Sequence, residues 1–399
     1  MAPGYEDSAT PDFSRPVTLE CLVCHSDKPL PVPDTLNAYR NPPFAQTAIQ
    51  CDRCHGNPER HLQNPVPGTI VNPAKLSPAA RDSVCEQCHL SGEVRIPNPG
   101  RSIADFRPGE RVEDVYTVYV TRHSPDQKIK VISHAEQLAL SACARKSGGR
   151  LWCGTCHNPH DKPERPAEYF RKRCLTCHGA TLAKSHAAPG QDCIGCHMPR
   201  RPAKDGGHTA FTDHRIARRP EVESGQDTGE LVAWREPDPA VRERNLALAL
   251  VTAGQENGRS DQVIQGFRTL YRMEGNLSGD ATALTSLGTV MLKGKQPAEA
   301  ARRFARALEL RPNYAPYEVN LAVALMAIGN TAEATRHLEH AVQLDPLLEQ
   351  AVELLSRAYR AAGQNSKAEE LLARYRTTMG ITLRGNAGAG PDQDPGHRN

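Results

Sequence analysis

Cysteine is absent after residue 196 of this 399-residue chain. All 13 cysteines lie at or before Cys196, and 24 of the 32 prolines at or before Pro220. The two halves therefore differ in kind. Aromatic residues make up only 5% and hydrophobic residues 38%. That is a thin supply of core-forming side chains, so something besides apolar packing has to organise part of the chain. At this length two or more domains are expected. No stretch of about 18 apolar residues occurs, which excludes an encoded helical membrane span. The formal charge of +3 comes without a long basic run, so the electrostatic footprint of nucleic-acid binding is missing. The opening MAPGYEDSATPDF has no charged start followed by an apolar segment, and no secretory leader is read there.

What the first half does contain is one motif, six times: CLVCH (21–25), CDRCH (51–55), CEQCH (85–89), CGTCH (153–157), CLTCH (174–178) and CIGCH (193–197). Cys-x-x-Cys-His is the attachment motif of haem c. Two thiols spaced three apart can each add to one vinyl group of the same porphyrin, and the adjacent histidine then ligates the iron. The pattern uses Cys21, Cys24, Cys51, Cys54, Cys85, Cys88, Cys153, Cys156, Cys174, Cys177, Cys193 and Cys196. The proximal ligands are His25, His55, His89, His157, His178 and His197. Zinc is the bland alternative, since paired Cys-x-x-Cys motifs build structural zinc sites. Zinc, however, does not require a histidine directly after the second cysteine. A redox dithiol needs a βαβ context, which is absent here. Six covalently attached haems would also supply the missing packing material, and each linkage would restrict the unfolded chain as a disulfide does.

Each iron needs a second axial ligand or stays open. Seven histidines outside the motifs lie in the same half: His61, His123, His134, His160, His186, His208 and His214. Six irons facing seven candidates favour His/His ligation throughout, with one to spare. His160, three after His157 in CHNPH, cannot share its neighbour's iron from the opposite face and is expected to reach another haem. His61, six after His55, follows the same logic. His134 opens the apolar-periodic stretch HAEQLALSAC, read as one helix. His123 lies between the strand-like runs VYTVYV and IKVIS, is read as a hairpin tip, and is the expected spare. Cys143 stands outside every motif and is expected to be a buried thiol.

The phrases CGTCHNPH, CIGCHMP, SHAEQLALSAC and HTAFTDHRI resemble multihaem c-type cytochromes related to the nitrifier tetrahaem electron carriers, in forms that carry tetratricopeptide repeats. The resemblance spans roughly residues 18–219 and the repeats. It implies close haem pairs, His/His ligation, low potentials, and electron transfer outside the cytoplasm, in the periplasm or extracellular space.

The second half has a period. LGTVMLKGKQPAEAARRFARALELRP matches LAVALMAIGNTAEATRHLEHAVQLDP at an offset of 34. Leu287, Ala300, Phe304, Ala307 and Pro312 fall on Leu321, Ala334, Leu338, Ala341 and Pro346, and a third copy follows at Leu355, Ala368 and Leu372. This is the tetratricopeptide period of two antiparallel helices, preceded by a degenerate helix pair. His337 and His340, at i and i+3, are expected to be solvated. The expected architecture is mainly α. A flexible start (1–17) leads into a loop-rich, haem-packed cytochrome domain (18–220). A linker (221–239), an α-solenoid of repeats (240–380) and a disordered tail (381–399) follow.

The expected function is electron transfer along closely spaced haems. The repeats would dock a redox partner protein, another cytochrome or further copies of the chain as a homo-oligomer or filament. An alternative is a reductase, in which one open iron reduces a small nitrogen or sulfur oxyanion. The ligand count and the absence of a CxxCK motif stand against it. An adaptor whose haems are only scaffold ranks third.

Overall fold

The computed structural model describes residues 17–36, 38–46, 48–122, 129–182, 193–203, 210–217 and 229–379. The first half is built from short pieces. In chain order they are α1 (Leu19–His25), β1 (Asp27–Pro31), β2 (Tyr39–Gln46), α2 (Asp52–His55), α3 (Glu59–Gln63), α4 (Pro78–His89), β3 (Val94–Pro97) and β4 (Tyr116–Thr121). Then come α5 (His134–Leu140), α6 (Ala142–Lys146), α7 (Cys153–Cys156), α8 (Pro166–Leu182), α9 (Cys193–His197), β5 (Arg200–Pro202) and β6 (Ala210–Thr212). Strand β7 (Leu231–Ala233) leads into eight helices: α10 (Pro239–Glu256), α11 (Ser260–Met273), α12 (Ala281–Lys293), α13 (Pro297–Leu310), α14 (Ala315–Ala327), α15 (Thr331–Leu344), α16 (Glu349–Ala361) and α17 (Asn365–Thr378). The chain is mainly helical, as the periodicity predicts.

Helices α12 to α17 form three antiparallel pairs repeating every 34 residues, the interval read from the sequence. Small side chains sit where the helices cross: Ala300, Ala307, Ala334, Ala341 and Ala368 are fully buried. Gly288 is required for the same reason, since a Cβ there would lie 2.6 Å from the Phe304 ring. Phe304 and Leu338 fill the matching positions of the first two copies. In the third copy Leu372 is only half-buried and Leu371 takes the buried place, because no further helix covers α17 in the described chain.

The stretch read as a linker does more than join the halves. Strand β7 pairs antiparallel with β4, which pairs with β3, to make a three-stranded sheet. One face of that sheet packs on α10: Ile96, Tyr119 and Leu231 share an apolar cluster with Ala247, Leu248 and Val251. Polar groups seal the seam. The fully buried Asn245 donates to the Thr117 hydroxyl at 2.9 Å and to the Asn98 side-chain oxygen at 2.8 Å. Arg244 donates to the Pro97 carbonyl at 2.6 Å and pairs with Asp280 at 2.7 Å. A second contact lies far away in sequence, where Arg311 pairs with Asp34 at 2.9 Å.

The hairpin expected from VYTVYV and IKVIS does not form. The partners of β4 are β3 and β7, and Ile129 instead makes an isolated parallel bridge with Ala203. His123 at the expected tip lies outside the described residues.

Candidate functional site

Every motif sits on helical backbone. α1, α4 and α9 end in the motif histidine, α2 spans Asp52–His55, α7 carries CGTC, and CLTCH lies inside α8. On a helical turn, residues i and i+3 are neighbours on one face, so the two thiols of each motif point the same way. None of the described cysteines forms a disulfide.

The core around these motifs is uneven. Val23, Leu90, Ile103, Phe106, Val112, Val115, Tyr116 and Val118 form one apolar cluster next to the first and third motifs. Beyond Tyr119 the supply stops. Between there and Leu231, the only buried hydrophobic residues among those described are Ile129 and Ala203. This interval contains three of the six motifs. Its side chains alone therefore build no apolar core.

Imidazoles gather in that interval instead. The His89 ring lies 5.0 Å from that of His134, centroid to centroid, with the planes 83° apart. The His134 ring lies 4.7 Å from that of His214. The rings of His157 and His214 are 6.2 Å apart at 29°. Separately, the rings of His55 and His160 are 5.8 Å apart at 17°. Partial desolvation holds His89, His134, His157 and His214 below the usual histidine range, His134 at about 4, and neighbouring imidazoles add repulsion at His89, His134 and His214. A metal-ligating histidine must be neutral, and the direction of these shifts favours the neutral form. A cleft of about 320 Å³ opens beside His157, walled by Tyr169, Phe170 and Pro166.

The tautomers suit ligation through Nε2. His55 Nδ1 lies 2.7 Å from the Val71 carbonyl, His197 Nδ1 2.7 Å from the Ala217 carbonyl and His214 Nδ1 2.9 Å from the Thr212 carbonyl. A carbonyl can only accept, so each Nδ1 is the donor and each Nε2 keeps its lone pair. That outer hydrogen bond is the usual companion of a metal-bound imidazole. His61 Nδ1 is 2.9 Å from the Thr69 hydroxyl. Among the described residues no group of three or more His, Cys, Asp or Glu side chains is gathered for a metal ion. A haem iron asks the protein for at most two axial ligands.

The spacer residues inside the motifs stitch one motif to another, a role that sequence reading missed. Arg53 of CDRCH donates to the Val23 carbonyl of CLVCH at 2.5 Å. Gln87 of CEQCH donates to the Arg53 carbonyl at 3.0 Å. Thiols of different motifs also meet. Hydrogen bonds link Cys24 with Cys88, Cys85 with Cys153, and Cys174 with Cys193. The bond from Cys88, helped by Arg95, lowers the Cys24 thiol to about 6, while Cys88 itself is pushed up.

His25 and His178 are exposed at their helix surfaces, and His197 is half-buried on α9. His186 and His208 lie outside the described residues. Three expectations need correction. HAEQLALSAC is not one helix: the chain breaks at Ser141, whose hydroxyl accepts from the Ala144 amide at 3.0 Å and so caps α6. Cys143 is half-buried rather than buried. His337 and His340 are not simply solvated, since each ring lies 2.5 Å from the buried Glu318 carboxylate.

The tetratricopeptide repeat family matches residues 291–346. No curated protein matches the chain. Among solved structures, MamA is 17% identical over 35% of this chain and 79% of its own, with a TM-score of 0.31. A mutant O-GlcNAc transferase of Thermobaculum terrenum is 26% identical over 34% of this chain and 27% of its own, with a TM-score of 0.29. Together with the 34-residue helix pairs, the family match identifies the C-terminal region of this chain as tetratricopeptide repeats.

Proposed function

We propose that this chain is a hexahaem c-type cytochrome that carries single electrons between His/His-ligated haems, and that its repeats dock a partner. The observation that carries this reading is the pairing of surplus and deficit in one interval. Residues 130–230 hold three Cys-x-x-Cys-His motifs and the clustered imidazoles of His134, His157 and His214, yet Ala203 is the only buried hydrophobic residue described there. Six apolar macrocycles held by twelve thioethers would supply that core, and axial nitrogen ligation would set their potentials. Haem c attachment puts the protein outside the cytoplasm, in the periplasm or extracellular space. Tetratricopeptide repeats generally offer a binding surface. Here that surface would receive a redox partner protein, another cytochrome, or a second copy in an oligomer or filament.

The test is expression together with the haem c maturation machinery, followed by intact mass in denaturant and a ferric spectrum. Six haems per chain, all low-spin and unreactive with carbon monoxide when reduced, are the expected result. A zinc-loaded, haem-free product would overturn the reading. A haem that binds carbon monoxide in the unmodified protein would favour reduction of a small oxyanion at an open iron.

A further inference from the structure

Resting on the haem reading above, we infer which non-motif histidine serves two of the motifs: His160 the haem of CDRCH and His214 that of CGTCH. Two imidazoles bound through nitrogen to opposite faces of one metal, at about 2 Å each, have ring centroids roughly 6 Å apart. The His55 and His160 rings are 5.8 Å apart, and those of His157 and His214 are 6.2 Å apart. Each of these pairs joins one motif histidine to one histidine outside the motifs. In both pairs the planes are close to parallel, at 17° and 29°. His55 and His214 also have Nδ1 committed to a carbonyl, which leaves Nε2 for the metal.

His89, His134, His157 and His214 form a contiguous group of four rings. His89 and His134 do not meet the same test: their rings are 5.0 Å apart and their Nδ1 atoms face each other at 3.3 Å, too close for one metal to lie between them. His134 is therefore assigned to no motif. The thiol contact between Cys85 and Cys153 brings the third and fourth motifs together. His160 meanwhile hangs three residues behind His157, so the second haem joins the same group through the CHNPH loop.

The ring angles have a spectroscopic consequence. Nearly parallel imidazole planes give a rhombic low-spin ferric signal, and nearly perpendicular planes give a broad, strongly anisotropic one. Electron paramagnetic resonance of the matured full-length protein tests the assignment with two variants. His160→Ala and His214→Ala should each remove one rhombic signal. Each should gain one high-spin haem, with all six haems still attached by mass. A second set removes thioether attachment at one motif. In the Cys51→Ala/Cys54→Ala background, His160→Ala should create no additional high-spin haem. The Cys153→Ala/Cys156→Ala background should likewise silence His214→Ala. Haems retained with an unchanged low-spin spectrum in the single variants would overturn the pairing while leaving the haem reading intact. So would an additional high-spin haem in the matching double background. A chain that takes up no haem sinks the haem reading first and the pairing with it.

Discussion

Arg235, two residues past strand β7, donates a 2.5 Å hydrogen bond to Glu86, one of the two residues between the thiols of CEQCH. Its other terminal nitrogen donates to Glu113 at 3.1 Å, and the Trp234 indole donates to Glu86 at 3.1 Å. Glu86 and Glu113 are both buried. A cation from the start of the repeat half thus bridges two buried carboxylates beside the third motif. Arg235→Ala should cost on the order of 3 kcal/mol, because it strands buried charge rather than merely losing a surface pair. Chemical denaturation of the matured protein measures this, and a loss below about 1 kcal/mol would mean that water replaces the guanidinium.

Glu86 also has a pH signature. Burial raises its carboxyl to about 6, against the pull of Arg235 and Trp234. A folded-state value above the ordinary 4.5 means the native state binds the proton more tightly than the unfolded chain. Its contribution to stability is therefore full below about 4.5 and is lost as pH rises to about 6. The change should be about 2 kcal/mol. Glu86→Gln should flatten that part of the stability profile while leaving the slope at other pH values unchanged.

The seam between the halves predicts what a cut does. Removing residues after 230 takes away β7, Trp234, Arg235 and the face of α10 that covers Ile96 and Tyr119. The remaining sheet would expose that apolar surface, and Thr117 would lose its side-chain partner Asn245. Chain 1–230 should aggregate or, on the proposed haem reading, lose low-spin character at the haem of CEQCH, as gel filtration and the ferric spectrum would reveal. Asn245→Leu in the full chain isolates one part of the effect. An unsatisfied buried hydroxyl costs about 1–3 kcal/mol, so a melt shifted down by that amount is expected.

How much of this was legible in the sequence follows the physics of each signal. The repeats were read to the residue at Ala300, Phe304 and Ala307, because helix packing repeats a local pattern every 34 positions. The motifs were equally plain, since their chemistry fixes the spacing. The seam was not. Residues 221–239 looked like a linker because the strand within them, Leu231–Ala233, is too short to show alternation. That strand exists because β4 offers an open edge, a long-range fact. Ser141 ended the helix at Leu140 because its hydroxyl satisfies a local amide, a competition that apolar periodicity does not register. The Nδ1 acceptors Val71, Thr212 and Ala217 contribute only backbone, so their side chains carry no signal.

The thiol contacts make a prediction for chain that escapes haem attachment. Cys24 titrates near 6 and is largely thiolate at neutral pH, and its partner is Cys88 of another motif. A thiolate is the attacking species in disulfide formation. Without haem, mild oxidation should cross-link Cys24 to Cys88 first. Non-reducing peptide mapping would show that bond ahead of the intramotif Cys21–Cys24 bond. If the intramotif bond dominates, the i, i+3 proximity within a motif outweighs the contact between motifs.

Glu318 in the repeats supplies the last expectation. Its buried carboxylate on α14 faces His337 and His340 on α15, with Nδ1 of each 2.5 Å away. Burial pushes the carboxyl up, but the two imidazole hydrogen bonds outweigh it and hold the group below the ordinary range. A depressed carboxylate contributes stability above its unfolded value near 4.5 and loses it as pH falls through the lower folded value. The repeats should therefore soften in acid below about pH 4.5, opposite in sign to the effect at Glu86. The helical circular-dichroism melt of the full chain, taken between pH 3 and 7, separates the two. Glu318→Gln should lower the melting temperature at pH 7 and remove most of the acid-dependent loss, since the amide is already neutral. His337→Ala/His340→Ala should also lower it at pH 7, leaving a buried carboxylate without donors. If neither variant moves the melt, water replaces the two imidazole contacts of Glu318 without cost.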